Sequence, residues 1–288
     1  MSERSFLSPG ARAMVIAAFA FSVMSVLVKL AGERLPTSQV VLARGVVTLA
    51  MSAWAIHRRK LSFAGNRKGL LLLRGVFGFG GLFCYFYAVT HLPLADATVL
   101  HFVNPVLSVL VAAIVLRERA GLIEIAGALV ALAGVVLVAR PTLLFGQSEL
   151  DPFAVGVALA GACFAAAAYV TVRSLRGSDD PLVVVLYFPL VAVPATLPFA
   201  IPDWVWPRPI EWLVLLGVGV ATQIGQVQMT RALHLESTAR ATTLSYVQVI
   251  FAFGWGLLLF HEVPSLLGIA GALVIAAAVI GVAYARPR

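Results

Sequence analysis

Long apolar runs alternate with short polar links along the whole chain. A bilayer-spanning helix needs about 20 mostly apolar residues, and ten segments meet that length. They run approximately from Arg12 to Ala31, Thr37 to Ile56, Gly69 to Thr90, Ala95 to Leu116, and Gly121 to Ala139. Five more run from Pro152 to Leu175, Pro181 to Ile201, Ile210 to Leu233, Ser237 to Phe260, and Ser265 to Ala285. The longest links, around Arg59 and Gly146, are too short for a soluble domain. The pattern predicts an all-α polytopic membrane protein with ten transmembrane helices in one integral membrane domain. The first run exceeds the usual signal-peptide h-region, carries Lys29 and lacks a small-x-small cleavage site, so it is read as a retained span.

Lys and Arg in the links orient the spans, because basic residues stay on the cytoplasmic side. With the N-terminus in the cytoplasm, that side gathers most of them. They include Arg4, Arg58, Arg59, Lys60, Arg67, Lys68, Arg117, Arg119, Arg286 and Arg288. Only Arg34, Arg140 and Arg208 fall outside. Both termini are therefore expected in the cytoplasm.

The halves also repeat at an offset of 144 residues. Ala126-Gly127-Ala128-Leu129-Val130 returns as Ala270-Gly271-Ala272-Leu273-Val274, and Glu118 meets Glu262 without a gap. Each half holds five spans, an odd number, so the second enters from the opposite side. Residues 1–145 and 146–288 are thus expected to form two inverted five-helix repeats. That architecture belongs to secondary transporters, with a midplane site and alternating access.

Composition sharpens the reading. Hydrophobic residues make up 61% and charged residues 12%, against roughly 45–50% and 25% in soluble domains. A water-soluble globular fold is excluded. The net charge of +8 would suggest nucleic acid in a soluble protein, but here it follows membrane topology. Cys84 and Cys163 lie inside apolar runs and read as packing residues. No metal cluster or cofactor motif appears, and the glycines of span three lack the strand and the Gly-Lys-Ser/Thr of a nucleotide loop.

Polar residues within the spans are the candidate site, since lipid makes an unpartnered polar group costly. His101 and Asn104 share a face in the middle of span four. The offset carries them to Ser245 and Gln248 in span nine, beside Tyr246. Each residue alone reads equally as an interhelical hydrogen bond; the group reads as a cavity. Gln223 and Gln226 share a face of span eight, while Gln228 points elsewhere. Phe79 in span three supplies an aromatic wall and Tyr169 in span six a hydroxyl. The intramembrane cations are Lys29, Arg44 and Arg74. Lys29 and Arg74 lie near span ends and are expected to snorkel. Arg44 is deeper and would favour an anionic group. The substrate-binding set is therefore His101, Asn104, Ser245, Tyr246, Gln248, Gln223, Gln226, Phe79, Tyr169 and Arg44.

Helix-bending signals are Pro105 in span four and Pro189, Pro194 and Pro198 in span seven. Span nine has Val249 where span four has Pro105, so a matching kink lacks its residue. Gly75, Gly78, Gly80 and Gly81, and Gly156 with Ala160, are expected at close helix contacts.

Several of these features together resemble the drug/metabolite transporter superfamily in its ten-span EamA type. They are Lys29, Arg44, Tyr87-Ala88, Asn104-Pro105, Arg117-Glu118-Arg119 before Gly127, and the second copy's Ala232, Glu262 and Gly271. The resemblance implies export of amino acids or related small metabolites across a bacterial inner membrane. Within it, the amino-acid exporters are most similar. A sugar-phosphate, nucleotide-sugar or drug exporter is the alternative, and an intramembrane enzyme the rival from another class. The chain shows neither Gly-x-Ser-x-Gly nor paired mid-membrane carboxylates, so no catalysis is expected. Facilitated diffusion is favoured, with proton antiport through His101 or a terminal carboxylate as the competing scheme. The expected partners are the lipid bilayer and a small-molecule substrate, with no nucleic acid, and the protein is expected to act as a monomer.

Overall fold

The structure is a computed structural model that describes residues 7–145, 150–261 and 265–285. Its helices are α1 (Pro9–Gly32), α2 (Thr37–Arg58), α3 (Lys68–His91), α4 (Leu94–His101), α5 (Asn104–Val115), α6 (Leu122–Ala139) and the short α7 (Thr142–Phe145). The second half holds α8 (Pro152–Ser174), α9 (Pro181–Ala200), α10 (Pro209–Leu235), α11 (Thr238–Ser245), α12 (Val247–Phe260) and α13 (Leu266–Tyr284). α4 with α5, and α11 with α12, each make one crossing. The described residues thus contain ten spans long and apolar enough to cross a membrane, as expected. Glu262, Arg4, Arg286, Arg288 and the Gly146 link lie outside the described residues.

The helix starts follow from local chemistry. Lipid cannot satisfy the free N–H groups of a first turn, so the chain must. Ser8, Asp151, Asp180, Ser237 and Ser265 each accept a first-turn N–H through the side chain. Proline opens α1, α8, α9 and α10, where its missing N–H costs nothing. Pro189, Pro194 and Pro198 sit within α9, which nonetheless runs unbroken from Pro181 to Ala200.

Helix pairing exchanges under the 144-residue offset. α1 packs along α10 as α8 packs along α3, and α10 meets α2 as α3 meets α9. α12 lies on α1 as α5 lies on α8, while the α2–α9 and α6–α13 pairs map onto themselves. Gly75 and Gly219 are equivalent positions and serve equivalent contacts. A Cβ at Gly75 would come within 2.5 Å of the Tyr187 carbonyl oxygen on α9, and one at Gly219 would overlap Val47 on α2. Gly156 does not form the close contact expected of it, since a Cβ there would meet nothing within 4 Å. The α3–α8 approach uses Gly81 and Gly161 instead, because those two face the partner helix.

The buried apolar residues form three clusters. The largest joins the start of α1 (Ala11, Met14), the start of α9 (Leu182, Val184), the ends of α8 and α10 (Leu175, Leu233), and α13 (Ile275, Val279). At the opposite face the core is divided. One cluster holds Ala31, Leu35, Val40, Leu215 and Val218 of the α1–α2–α10 lobe. The other holds Ala88, Leu92, Ala97, Leu100, Ala154 and Ala158 of the α3–α4–α8 lobe.

The undivided face carries both described chain ends. Ser8 donates to Glu236, which pairs with Arg240 at 3.2 Å. Arg240 donates to the Ala283 carbonyl at 2.8 Å and also to that of Ala285. Nearby, Arg173 donates to Glu118 at 2.7 Å and to the Leu233 and His234 carbonyls. The other Glu118 oxygen accepts the Thr238 N–H at 2.9 Å, which closes the start of α11. Burial pushes the Glu118 carboxyl up, but the Thr238 N–H and Arg173 outweigh it and hold it below the ordinary carboxylate range.

Candidate functional site

Two broken spans meet at the centre. α4 ends at His101, and α5 begins at Asn104 with Pro105 in its first turn. In the second half, α11 ends at Ser245 and α12 begins at Val247. The break in span nine therefore exists without a proline, since Val249 stands in the place of Pro105. The expectation that only span four had the residue for a kink is corrected by hydrogen bonding. Ser245 Oγ donates to the Thr242 carbonyl at 2.6 Å, competing for the backbone of that turn. Tyr246, fully buried, donates its hydroxyl to the Phe102 carbonyl at 2.8 Å. That carbonyl lies at the break of span four, so one break satisfies an acceptor of the other. Phe102 and Tyr246 are 144 residues apart, and their rings stack at 5.9 Å.

Around this crossing the expected residues divide into two groups. Some are engaged with the protein. Tyr246 is buried and holds Phe102. Gln223 is buried and exchanges hydrogen bonds with Ser52 on α2 at 2.9 and 3.2 Å, tying spans two and eight. Ser245 is turned to its own helix. Asn104 donates Nδ2 to the His101 carbonyl at 2.8 Å, while its buried Oδ1 has no hydrogen bond among the described residues.

The other group keeps polar atoms available. His101 is half-buried, with its ring 4.7 Å from Tyr85, and its ring nitrogens make no hydrogen bond among the described residues. Gln248 and Tyr169 are half-buried and likewise make no side-chain hydrogen bond there. Phe79 is half-buried, its ring 6.1 Å from Phe83.

Arg44 is half-buried in α2; its Nη1 reaches only Met24 Sδ, at 3.8 Å. Arg74 departs from expectation. It does not snorkel: it is 2% exposed and donates Nη2 to Gln226 Oε1 at 2.9 Å, bridging α3 and α10. Its position six residues into α3 puts it too deep to reach water past the first turn. Lys29 is exposed near the end of α1, its Nζ 3.7 Å from the Phe260 ring centroid.

Sequence reasoning also missed Phe188 on α9. Its ring lies 5.7 Å from the Arg44 guanidinium and 5.5 Å from that of Arg74. An apolar residue in an apolar run carries no such signal. The depth of Arg74 in span three was the signal available. Gln223 and Gln228 line a separate crevice of about 220 Å³ with Met51, Trp54 and Leu182, beside exposed Ile224. It opens between α2, α9 and α10, where Trp54 and Ile224 are exposed.

Comparison with known proteins adds the following. A family model described as the EamA-like transporter family matches the chain twice, at residues 8–140 and 152–284. The chain is 36% identical to a pseudopaline exporter of Pseudomonas aeruginosa, over 97% of this chain and 98% of that protein. It is 29% identical to solute carrier family 35 member G1 of Mus musculus, over 94% of this chain and 77% of that protein. It is also 29% identical to a probable transport protein of Saccharomyces cerevisiae, over 88% and 80%. A crystal structure aligns with a TM-score of 0.83 at 21% identity, covering 94% of this chain and 95% of the other.

Proposed function

This chain belongs to the EamA-like transporter family, and from that premise we propose that it exports small metabolites carrying a carboxylate, amino acids among them, by alternating access. The observation that supports this most is the divided core. One face is sealed by a continuous apolar cluster, and the other is split into two lobes. A solute entering between the lobes would meet the crossing of the broken spans as a floor. Half-buried His101, Gln248 and Tyr169 would offer it hydrogen bonds, and Arg44 a positive charge. Such a cleft, mostly apolar with a few convergent polar groups, suits a solute with a charged head and variable side chain.

The two repeats would be inverted, residues 1–145 against 146–288, with both termini on the cytoplasmic side of a bacterial inner membrane. The divided face would then be external. Rocking the lobes together while the terminal face parts would carry the site from one side to the other. Tyr246 and Phe102 would serve as the pivot. Every described carboxylate lies in a link or the first turn of a helix, which supports facilitated diffusion over coupling through a mid-membrane acid.

Counterflow in proteoliposomes containing the purified protein tests the reading. Internal unlabelled amino acid should drive uptake of the labelled form, equally with and without a pH gradient. Pseudopaline, a quaternary cation and a sugar phosphate complete the panel. Uptake of the cation or sugar phosphate alone would overturn the substrate class, and silence throughout would overturn the carrier. His101→Ala and Gln248→Ala should each lower flux while the protein stays folded. Wild-type flux in either variant would remove that residue from the site.

A further inference from the structure

We infer that Arg44 and Arg74 form one anion subsite that holds a doubly negative substrate head, a pair of carboxylates. The inference rests on the transporter reading above and narrows its substrate class.

Both guanidinium groups lie over the same ring, Phe188, at 5.7 and 5.5 Å from its centroid. They are therefore no farther apart than the sum of those distances. Their protein contacts are weak for intramembrane cations, Arg74 buried and Arg44 half-buried. Among the described residues, Arg44 donates only to the Met24 sulfur and Arg74 only to the Gln226 amide oxygen. The Nε of each is buried without a hydrogen bond among the described residues, and no described carboxylate pairs with either arginine. Tyr169 is the neighbouring titratable group, close enough to Arg74 to interact with it electrostatically.

A buried charge without a counter-charge is strongly unfavourable, and two like charges near one ring compound the cost. A lysine could escape by losing its proton; arginine cannot. The subsite therefore carries two positive charges that no described carboxylate balances and that an anionic ligand can. Guanidinium forks match carboxylate oxygens in bidentate geometry, and the unpaired Nε donors are part of that fork. One carboxylate would leave a positive charge uncompensated, whereas two balance the site. The chain also makes room for this arrangement at Gly78, one turn beyond Arg74. A Cβ there would overlap Arg74 Nη1 and approach Phe188 Cδ2 to 2.8 Å.

The test uses the full chain in proteoliposomes and in detergent. N-acetylglutamate is compared with N-acetylglutamine, which differs by one carboxylate, as inhibitor of counterflow. Glycerol 3-phosphate distinguishes a phosphate head from a dicarboxylate. The dicarboxylate should inhibit roughly tenfold better than its amide, as a lost charge-assisted pair implies. Arg44→Gln and Arg74→Gln should each bring the two compounds close to parity, read as the ratio of their inhibition within each variant. Arg74→Lys, which keeps the charge without the fork, should retain part of the preference.

Equal inhibition by acid and amide in the wild type would overturn the subsite and leave the carrier standing. So would an unchanged ratio in both glutamine variants, and so would a preference for the phosphate over the dicarboxylate. If no compound moves, the carrier reading fails, and thermal unfolding in detergent decides the subsite. Stabilisation by N-acetylglutamate that is lost in Arg74→Gln would uphold it. No stabilisation, or equal stabilisation by the amide, would overturn it.

Discussion

The two faces of the molecule are built on different terms. The face with the chain ends has one continuous apolar core, and its ionic groups join separate helices. Arg173 alone connects α8 to Glu118 beyond α5 and to the last turn of α10, and Glu118 goes on to the start of α11. At the other face the polar contacts run within a lobe. Arg34 pairs with Glu211 and with the Trp206 carbonyl, Gln39 with Val205, and Asp96 with Thr142. Two kinds of ion pair thus coexist in one fold. Those at the face with the chain ends tie separate helices together, and those at the other face stay within a lobe.

Breaking the sealed face gives the largest expected effect. Arg173→Met takes the guanidinium from Glu118, which keeps the Thr238 N–H, and leaves the Leu233 and His234 carbonyls without that donor. The pair is part-buried, so its loss should cost less than the roughly 3 kcal/mol of a fully buried pair, and the midpoint of thermal unfolding in detergent should still fall by a few degrees. A cysteine placed on that face should also become more reactive to a water-soluble thiol reagent.

The Glu118 carboxyl provides a gentler lever. Its titration range is lowered on folding, so its contribution is complete above the ordinary carboxylate range and fades as pH falls through the folded value. The stability gap between wild type and Glu118→Gln should be widest near neutral pH and close as pH falls below the ordinary carboxylate range. A gap that widens on acidification would contradict the assigned contacts.

Tyr246→Phe deletes the hydroxyl that reaches Phe102. A lost hydrogen bond of this kind costs about 1 kcal/mol, and flux should change more than stability if the crossing is a pivot. Arg34→Ala, in the exposed pair at the divided face, should leave unfolding indistinguishable from wild type. A large loss there would erase the contrast between the faces.

Much of this was legible beforehand, and what was not has physical causes. Ten spans can be read because lipid demands uninterrupted apolar length. The break in span nine could not be read from Val249. It goes with a hydrogen bond from Ser245 to the Thr242 carbonyl and with a hydroxyl reaching a carbonyl 144 residues away, and neither leaves a local periodicity. Gln223 and Gln226 share a helix face, yet one turns to Ser52 and the other to Arg74, because α2 and α3 bring different partners to that face. The sequence places Arg74 close enough to the span's end to reach water, whereas six residues into α3 it is buried and donates to Gln226.

The contact between Phe102 and Tyr246 bears on how such a chain can change over generations. The two residues occupy the same position of their copies and touch each other. An assembly of two identical halves would place the same side chain on both sides of that contact. It would have either two hydroxyl groups competing for one small space or none at all. A single chain carrying both copies is free of that symmetry. It can keep the donor on one side and the smooth ring on the other, so each half can specialise at its most crowded point without disturbing its twin.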